Sequence, residues 1–555
     1  MPDINYLSQL RDVTNEGHFS FASKKAKQAL SLSEKAFDDR DLSLARAAAE
    51  KAQSAEDESL KELHHSLQEV HPSAATHLIW GERHTELQEF KPPKGMRYFS
   101  CSRGAWILGV FGKGAALGQI AALKYFNKYV RWAAARLIKV EVFDVVSILE
   151  DERSSSREIS QLELSRLTAI QTRMLWIADE ITISAGEWVD ENLPHCADSL
   201  GAGIMKIAKE NRRSVRERLI RAAEQKSWKI EEPISKIHLR GLPEGLISEL
   251  TAKPMVLNEE NLKNALLGDG PAITPFVRIQ EDTWVLGFSE WLQNCDDSII
   301  RIVMRKSPSH HSGKVFEDIT AKLLSKWGPT GMDWNSSIEI FKSGREGGRD
   351  EVDIFAVAED AVFLGECKAN RLSENNSSVG ASFETVVKEK AADQLATRVS
   401  HWGSGYRPRL GQTHYPDAVL GFIVAFSSYG GLPWQSESLK RNVQQLSFPV
   451  FPLHSLIMAV SILGTAQQLK RYLEYRSEWL FKGMQNLDEL EYLMGFLGDS
   501  NSQAAKTPEG AVPFYRQYDL NAEGRFLDPK DYENASDWKK QWWEAIKEHC
   551  VAVTP

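Results

Sequence analysis

Asp353, Glu366 and Lys368 are the residues of this chain whose types and spacing could do chemistry. They lie in RDEVDIFAVAEDAVFLGECKAN, residues 349–370, where two apolar runs flank the polar pair Glu359-Asp360. Burying charge inside such runs costs several kcal/mol unless it is paired or coordinates a metal. A hairpin centred between Glu359 and Asp360 sets Ala358 opposite Ala361. Stepping outward, it sets Asp353 opposite Glu366 and Glu351 opposite Lys368. Opposed residues share a face, with Cβ atoms about 5 Å apart. Two carboxylates and an ammonium therefore converge on one patch. Carboxylates held this close repel, and partial burial raises the pKa of one of them. A divalent cation removes the conflict. Hard oxygen ligands suit Mg²⁺, with Mn²⁺ as a substitute; Mg²⁺ keeps several waters and is held by one or two carboxylates plus substrate phosphate. Such a cation activates water and neutralises a phosphoryl group in transfer. Lys368 then stabilises developing negative charge or orients the attacking water. The chemistry these residues predict is hydrolysis of a phosphodiester.

The elements that must position them follow from the pattern around them. KVFEDITAKLLSKW (314–327) puts Val315, Ile319 and Leu323 on one helical face. SIEIF (337–341) reads as a short strand, followed by the loop KSGREGGRDE. EVDIFAVA and AVFLGECKA are the two hairpin strands. A polar loop then leads to a helix over about 382–400. AVLGFIVAF (418–426) is a continuous apolar run, as a buried central strand would be. SFPVFPL and SLIMAVSILG add a strand and a helix. The order is αβββαβ followed by βα, a mixed sheet flanked by helices.

With that order in place, D353-x12-E366-C-K368, preceded by a helix bearing Glu317, resembles the PD-(D/E)XK nuclease superfamily of restriction-endonuclease-like folds over roughly residues 310–455. The resemblance implies that Asp353 and Glu366 are metal ligands and Lys368 the catalytic lysine. It also implies that Glu317 helps hold the metal and that Gln394 matches the glutamine some Mrr-like and RecB-like members place near the site. The proline before the first acid is replaced by Val352. Arg345 and Arg349, in the glycine-containing loop, are candidate nucleic-acid phosphate contacts. The implied activity is a metal-dependent nuclease, with DNA favoured over RNA and an endonuclease favoured. Its setting, by analogy with long nucleases of this kind, is prokaryotic defence or restriction. An RNA-directed nuclease and a catalytically inactive nucleic-acid-binding or interaction protein are the alternatives.

The rest of the chain bounds this reading. At 555 residues it is too long for one core. The expected organisation is multidomain α plus α/β. It runs from an N-terminal helical hairpin region (1–95) through a helical domain (96–235) and a small mixed region (236–305). A restriction-endonuclease-like αβββαβ domain (306–465) and a helical C-terminal region (466–555) follow. Residues 20–70 read as the hairpin, broken at DDRD (38–41), and KPPKG (91–95) as a boundary. An apolar content of 42% with 26% charged residues excludes wholesale disorder, and a net charge of −9 argues against a broadly basic surface. Residues 206–229 are nonetheless basic, with nine Lys or Arg against three Glu, which fits a solvated helix face better than a phosphate-binding one. His310 and His311 read as linker, and Trp538, Trp542 and Trp543 as packing.

Residues 105–123 are nearly apolar but carry Lys113 and four glycines, so they read as a buried helical pair and not a membrane span; a central lysine costs about 3 kcal/mol on insertion. The GKG at 112–114 lacks the first glycine and the Ser/Thr of a phosphate loop. Five dispersed cysteines without a CxxC pair, and a start lacking signal-peptide character, lead us to expect a reducing, cytoplasmic location, no zinc and no membrane partner. A homo-oligomer or a protein partner is left open.

Overall fold

The computed structural model describes residues 21–79, 101–150, 175–196, 200–208, 242–267, 276–279, 282–285, 298–308, 312–342, 348–370, 383–410, 414–426, 448–481, 489, 492, 493 and 496. Arg345, His310, His311, the KPPKG boundary, most of the basic stretch 206–229 and the C-terminal tryptophans lie outside them. The chain divides into two compact units, one of residues 1–167, 220–298 and 373–375, the other of 168–219, 299–372 and 376–555.

In the first unit, α1 (Lys24–Asp39) and α2 (Leu42–Glu69) form the hairpin read from the DDRD break. Ser23 caps α1 by accepting from the Ala26 amide, and Asp41 caps α2 by accepting from the Leu44 amide at 3.0 Å. Arg40 turns the chain with a φ of 52°. Buried alanines (Ala26, Ala29, Ala48, Ala52) let these helices approach α4 (Gly118–Glu150) closely. Glu56, buried with them, is held by Lys139 at 2.7 Å and by Arg136.

Between α2 and α4 run α3 (Cys101–Phe111) and the GKG turn. The amides of Lys113 and Gly114 donate to the carbonyls of Leu67 and Val70. A side chain at Gly114 would run into the backbone of Glu69, so that glycine serves close backbone approach. No described helix is long and apolar enough to cross a membrane. The unit's three-stranded sheet, β1 (Thr251–Ala252), β2 (Phe276–Ile279) and β3 (Asp282–Val285), lies in sequence order.

The second unit is built on a mixed six-stranded sheet. Its strands are β4 (Asn335–Lys342), β5 (Arg349–Val357), β6 (Val362–Lys368), β7 (Tyr406–Pro408), β8 (Val419–Ala425) and β9 (Val450–Pro452), in the order β7-β4-β5-β6-β8-β9. β5 and β6 pair antiparallel with Ile354 opposite Gly365 and Val357 opposite Val362, the register expected from the Glu359-Asp360 turn. The pairs β6–β8 and β8–β9 are parallel. Gly365 has no room for a Cβ between Ile354 and Phe422, so the strand carries a glycine immediately before Glu366.

Flanking helices follow from the pleat. Phe355 and Cys367 belong to opposite faces. Phe355 packs on Trp402 of the helix Ala392–Gly403, whereas Cys367 lies against Thr320 of the helix Ser312–Trp327. These two helices therefore cover opposite faces. Val315, Ile319 and Leu323 of the second are all buried, as their spacing predicts. A π-helical segment, Phe383–Ala391, precedes Ala392–Gly403, where the sequence led us to expect one α-helix. The three-residue β7 was also not anticipated. Helices Leu453–Ile462 and Ala466–Phe481 follow β9.

Candidate active site

Strand pairing sets one row of residues across the sheet. β5 and β6 bring Asp353 and Glu366 to adjacent places just beyond the last paired residues, Ile354 and Gly365. On the other side, β4 pairs Ser336 with Ile354 and Ile338 with Val352, which leaves Ser337 beside Asp353. Ser337 has a φ of 52° inside a strand, a conformation disfavoured for a residue with a Cβ and retained only where the surroundings impose it. Its hydroxyl donates to Glu317 Oε2 at 2.7 Å, and Lys314 Nζ donates to the same hydroxyl at 3.1 Å. The strained serine, beside Asp353, thus holds Glu317.

Glu366 is 1% exposed and Asp353 9%, so the puzzle of buried charge is real. Lys368 Nζ donates to Glu366 Oε1 at 2.5 Å and to Gln394 Oε1 at 2.9 Å. Asp353 Oδ2 accepts from the Cys367 amide at 2.8 Å, and Arg398 Nη2 lies 3.3 Å from Asp353 Oδ1. The other terminal nitrogen of Arg398, Nη1, pairs with Glu366 Oε2. A run of hydrogen bonds and ion pairs joins Gln394, Lys368, Glu366, Arg398 and Asp353 in that order.

Glu317, Asp353, Glu366, Lys368 and Gln394 are therefore brought together. Arg349 is not: it sits at the exposed start of β5, paired with Glu339. Arg398 and Ser337 were missed. The only signal for Arg398 was spacing, since Gln394 and Arg398 stand one helical turn apart with Leu395 and Trp402, both buried, on the same side. Nothing in the sequence marks Ser337.

The electrostatics are those of a crowded, half-dry site. Burial, then the charge of Asp353, pushes the Glu317 carboxyl up to about 7, against the opposing effect of the Ser337 hydrogen bond and Lys314. Burial raises Asp353 as well, while Arg398 and the Cys367 amide pull it back. Burial lowers Lys368. One prediction follows for stability. A carboxyl raised in the folded state binds protons that the unfolded state has released, so its contribution is fully present below about pH 4.5 and lost as pH rises through about 7. Glu317→Gln removes this loss. Because Glu317 is only half-buried, the gain is on the order of 1–2 kcal/mol. The variant should melt with the parent at pH 4.5 and several degrees above it at pH 8 in EDTA; equal melting at both would contradict the strained carboxyl.

Among the described residues, no three His, Cys, Asp or Glu side chains are grouped closely enough to hold a metal ion as they stand. The donor set nonetheless fits a hard divalent cation. It offers carboxylate oxygens from Asp353 and Glu366, with Glu317 alongside, its carboxyl raised by burial and by the charge of Asp353. What stands between the two central carboxylates is the Arg398 guanidinium. No family model matches this chain, and no curated protein or solved structure matches it either.

Proposed function

We propose that this site hydrolyses phosphodiester bonds of nucleic acid with a divalent cation, Mg²⁺ or Mn²⁺, DNA before RNA, as the resemblance to PD-(D/E)XK nucleases implies. The observation that carries the proposal is the meeting of buried Asp353 and Glu366 with Lys368 in one row, with Gln394 on the lysine. A structural hairpin has no need of this arrangement, because burying these charges is costly even when they are paired. Asp353 and Glu366 would hold the cation, with Glu317 beside them. The cation would activate water and neutralise the phosphoryl charge. The chain's own contribution is to fix Lys368. Gln394 and Glu366 hold its ammonium where negative charge develops on the phosphorus oxygens as the water oxygen bonds to phosphorus and the ester oxygen leaves. A role in prokaryotic defence or restriction belongs to the same proposal, by analogy alone.

A second reading has its own observation. Arg398 pairs with both acids, as it would in a binding module that kept the arrangement and not the reaction. Incubating the purified protein with plasmid, linear DNA and RNA, in Mg²⁺, Mn²⁺ or EDTA, separates the two. Cleavage that EDTA abolishes supports the hydrolase. Retention of nucleic acid without cleavage in either metal supports the binding module.

A further inference from the structure

We propose that Arg398 is a positioning residue that sets the site's affinity for its cation: its guanidinium is a tethered counter-ion that holds Asp353 and Glu366 together in the resting protein, and a divalent cation binds by displacing it. The inference rests on the divalent-cation reading above and adds a residue to it. Three observations carry it. First, Arg398 reaches both acids with separate nitrogens, Nη2 on Asp353 Oδ1 at 3.3 Å and Nη1 on Glu366 Oε2, which is the bridging place a shared cation would occupy. Second, its side chain is 8% exposed, so it is built into the site and not swept across it by solvent. Third, the charges there already balance. The carboxylates of Asp353 and Glu366 face the ammonium of Lys368 and the guanidinium of Arg398.

Adding a divalent cation to a balanced, buried set would leave excess positive charge in low dielectric, which is strongly unfavourable. Losing the guanidinium from the acids removes half of that excess. Arginine suits this duty, because its planar fork spans two carboxylates where a lysine point charge serves one. Gln394, one helical turn earlier, holds Lys368 independently of Arg398, so the lysine stays in place while the guanidinium moves.

Calorimetric titration of the full chain with Mn²⁺ tests this, using the parent, Arg398→Gln and Arg398→Lys, with melting measured in EDTA and in Mn²⁺. Arg398→Gln should bind Mn²⁺ about tenfold more tightly or better, the factor that 1.4 kcal/mol of coupling sets. It should also melt lower than the parent in EDTA and recover in Mn²⁺. Arg398→Lys should fall between. A purely structural arginine predicts the lowered melting with Mn²⁺ affinity unchanged, and that result overturns the proposal. Should Arg398→Gln fail to fold even in Mn²⁺, Arg398→Lys decides: tighter binding than the parent supports displacement, and equal or weaker binding overturns it. If the parent and both variants bind no Mn²⁺, the divalent-cation reading itself falls; if the parent binds and the variants match it, only the role of Arg398 does.

Discussion

Alanine at Lys368, Asp353 or Glu366 should lower cleavage by on the order of a thousandfold, as loss of a charge-stabilising donor or a metal ligand does. Each variant also takes a partner from a buried charge, so melting is measured beside activity to separate lost chemistry from lost folding. Without Lys368, Glu366 keeps Arg398; without Asp353, Arg398 keeps Glu366; without Glu366, Arg398 keeps Asp353. The three variants then divide by a second measurement. Lys368→Ala should still bind Mn²⁺ while losing kcat, because it removes no oxygen ligand. Asp353→Ala and Glu366→Ala should lose Mn²⁺ binding together with cleavage. Single-turnover cleavage of the best nucleic-acid substrate, alongside the metal titration, checks both. Full activity in any one variant removes that residue from the mechanism.

The largest stability effect is expected far from this chemistry. Arg476, fully buried on the helix Ala466–Phe481, grips Glu489 with two bonds, Nε to Oε1 at 2.8 Å and Nη2 to Oε2 at 2.9 Å. Tyr472 also donates its hydroxyl to Glu489 Oε1. The guanidinium lies over the Tyr492 ring at 3.9 Å and over Phe451, in the edge strand β9, at 5.5 Å. One side chain thus ties the helix, the sheet edge, Glu489 and Tyr492 together. Removing one partner of a buried pair leaves the other charge uncompensated and costs about 3–5 kcal/mol. Arg476→Met should therefore lower the melting of the second unit by roughly 10 °C. The double variant Arg476→Met, Glu489→Gln should recover most of the loss, since the buried carboxylate's charge is gone with that of the guanidinium. Calorimetry of the intact chain reads both; a single-variant loss below about 1 kcal/mol would place the pair among those that contribute little.

Much of the second unit was legible because its signals are local and periodic. Glu359-Asp360 between two apolar runs fixes the hairpin, and side-chain parity then puts Asp353 and Glu366 on one face; the observed pairing of Ile354 with Gly365 is that register. Glu317 and Gln394 came from the resemblance, and the structure sets both at the row. What was not legible depends on tertiary contact. Two facing carboxylates implied a repulsion for a cation to relieve, whereas in the folded chain a guanidinium from a helix many residues later relieves it. In sequence Arg398 is one more basic residue on an amphipathic helix. The twist at Ser337 leaves no periodic trace, because it is one residue's backbone torsion imposed by its neighbours. β7 is too short for any period to register and is held at the edge by β4 and by the His401–Tyr406 stack at 4.4 Å. Arg349 stands apart from the acids: it lies four positions from Asp353 along an extended strand, over 12 Å away at about 3.3 Å per residue, and is paired with Glu339.

Anomalous diffraction from crystals grown with Mn²⁺ asks whether Asp353 and Glu366 are cation ligands. A single strong peak is expected at about 2.1 Å from oxygens of both carboxylates, the distance of a hard six-coordinate cation, with Arg398 turned off at least one of them. Crystals of Asp353→Asn should show no such peak. A map of the parent with no density between the two acids at millimolar Mn²⁺, and Arg398 still on both, would contradict that ligand role.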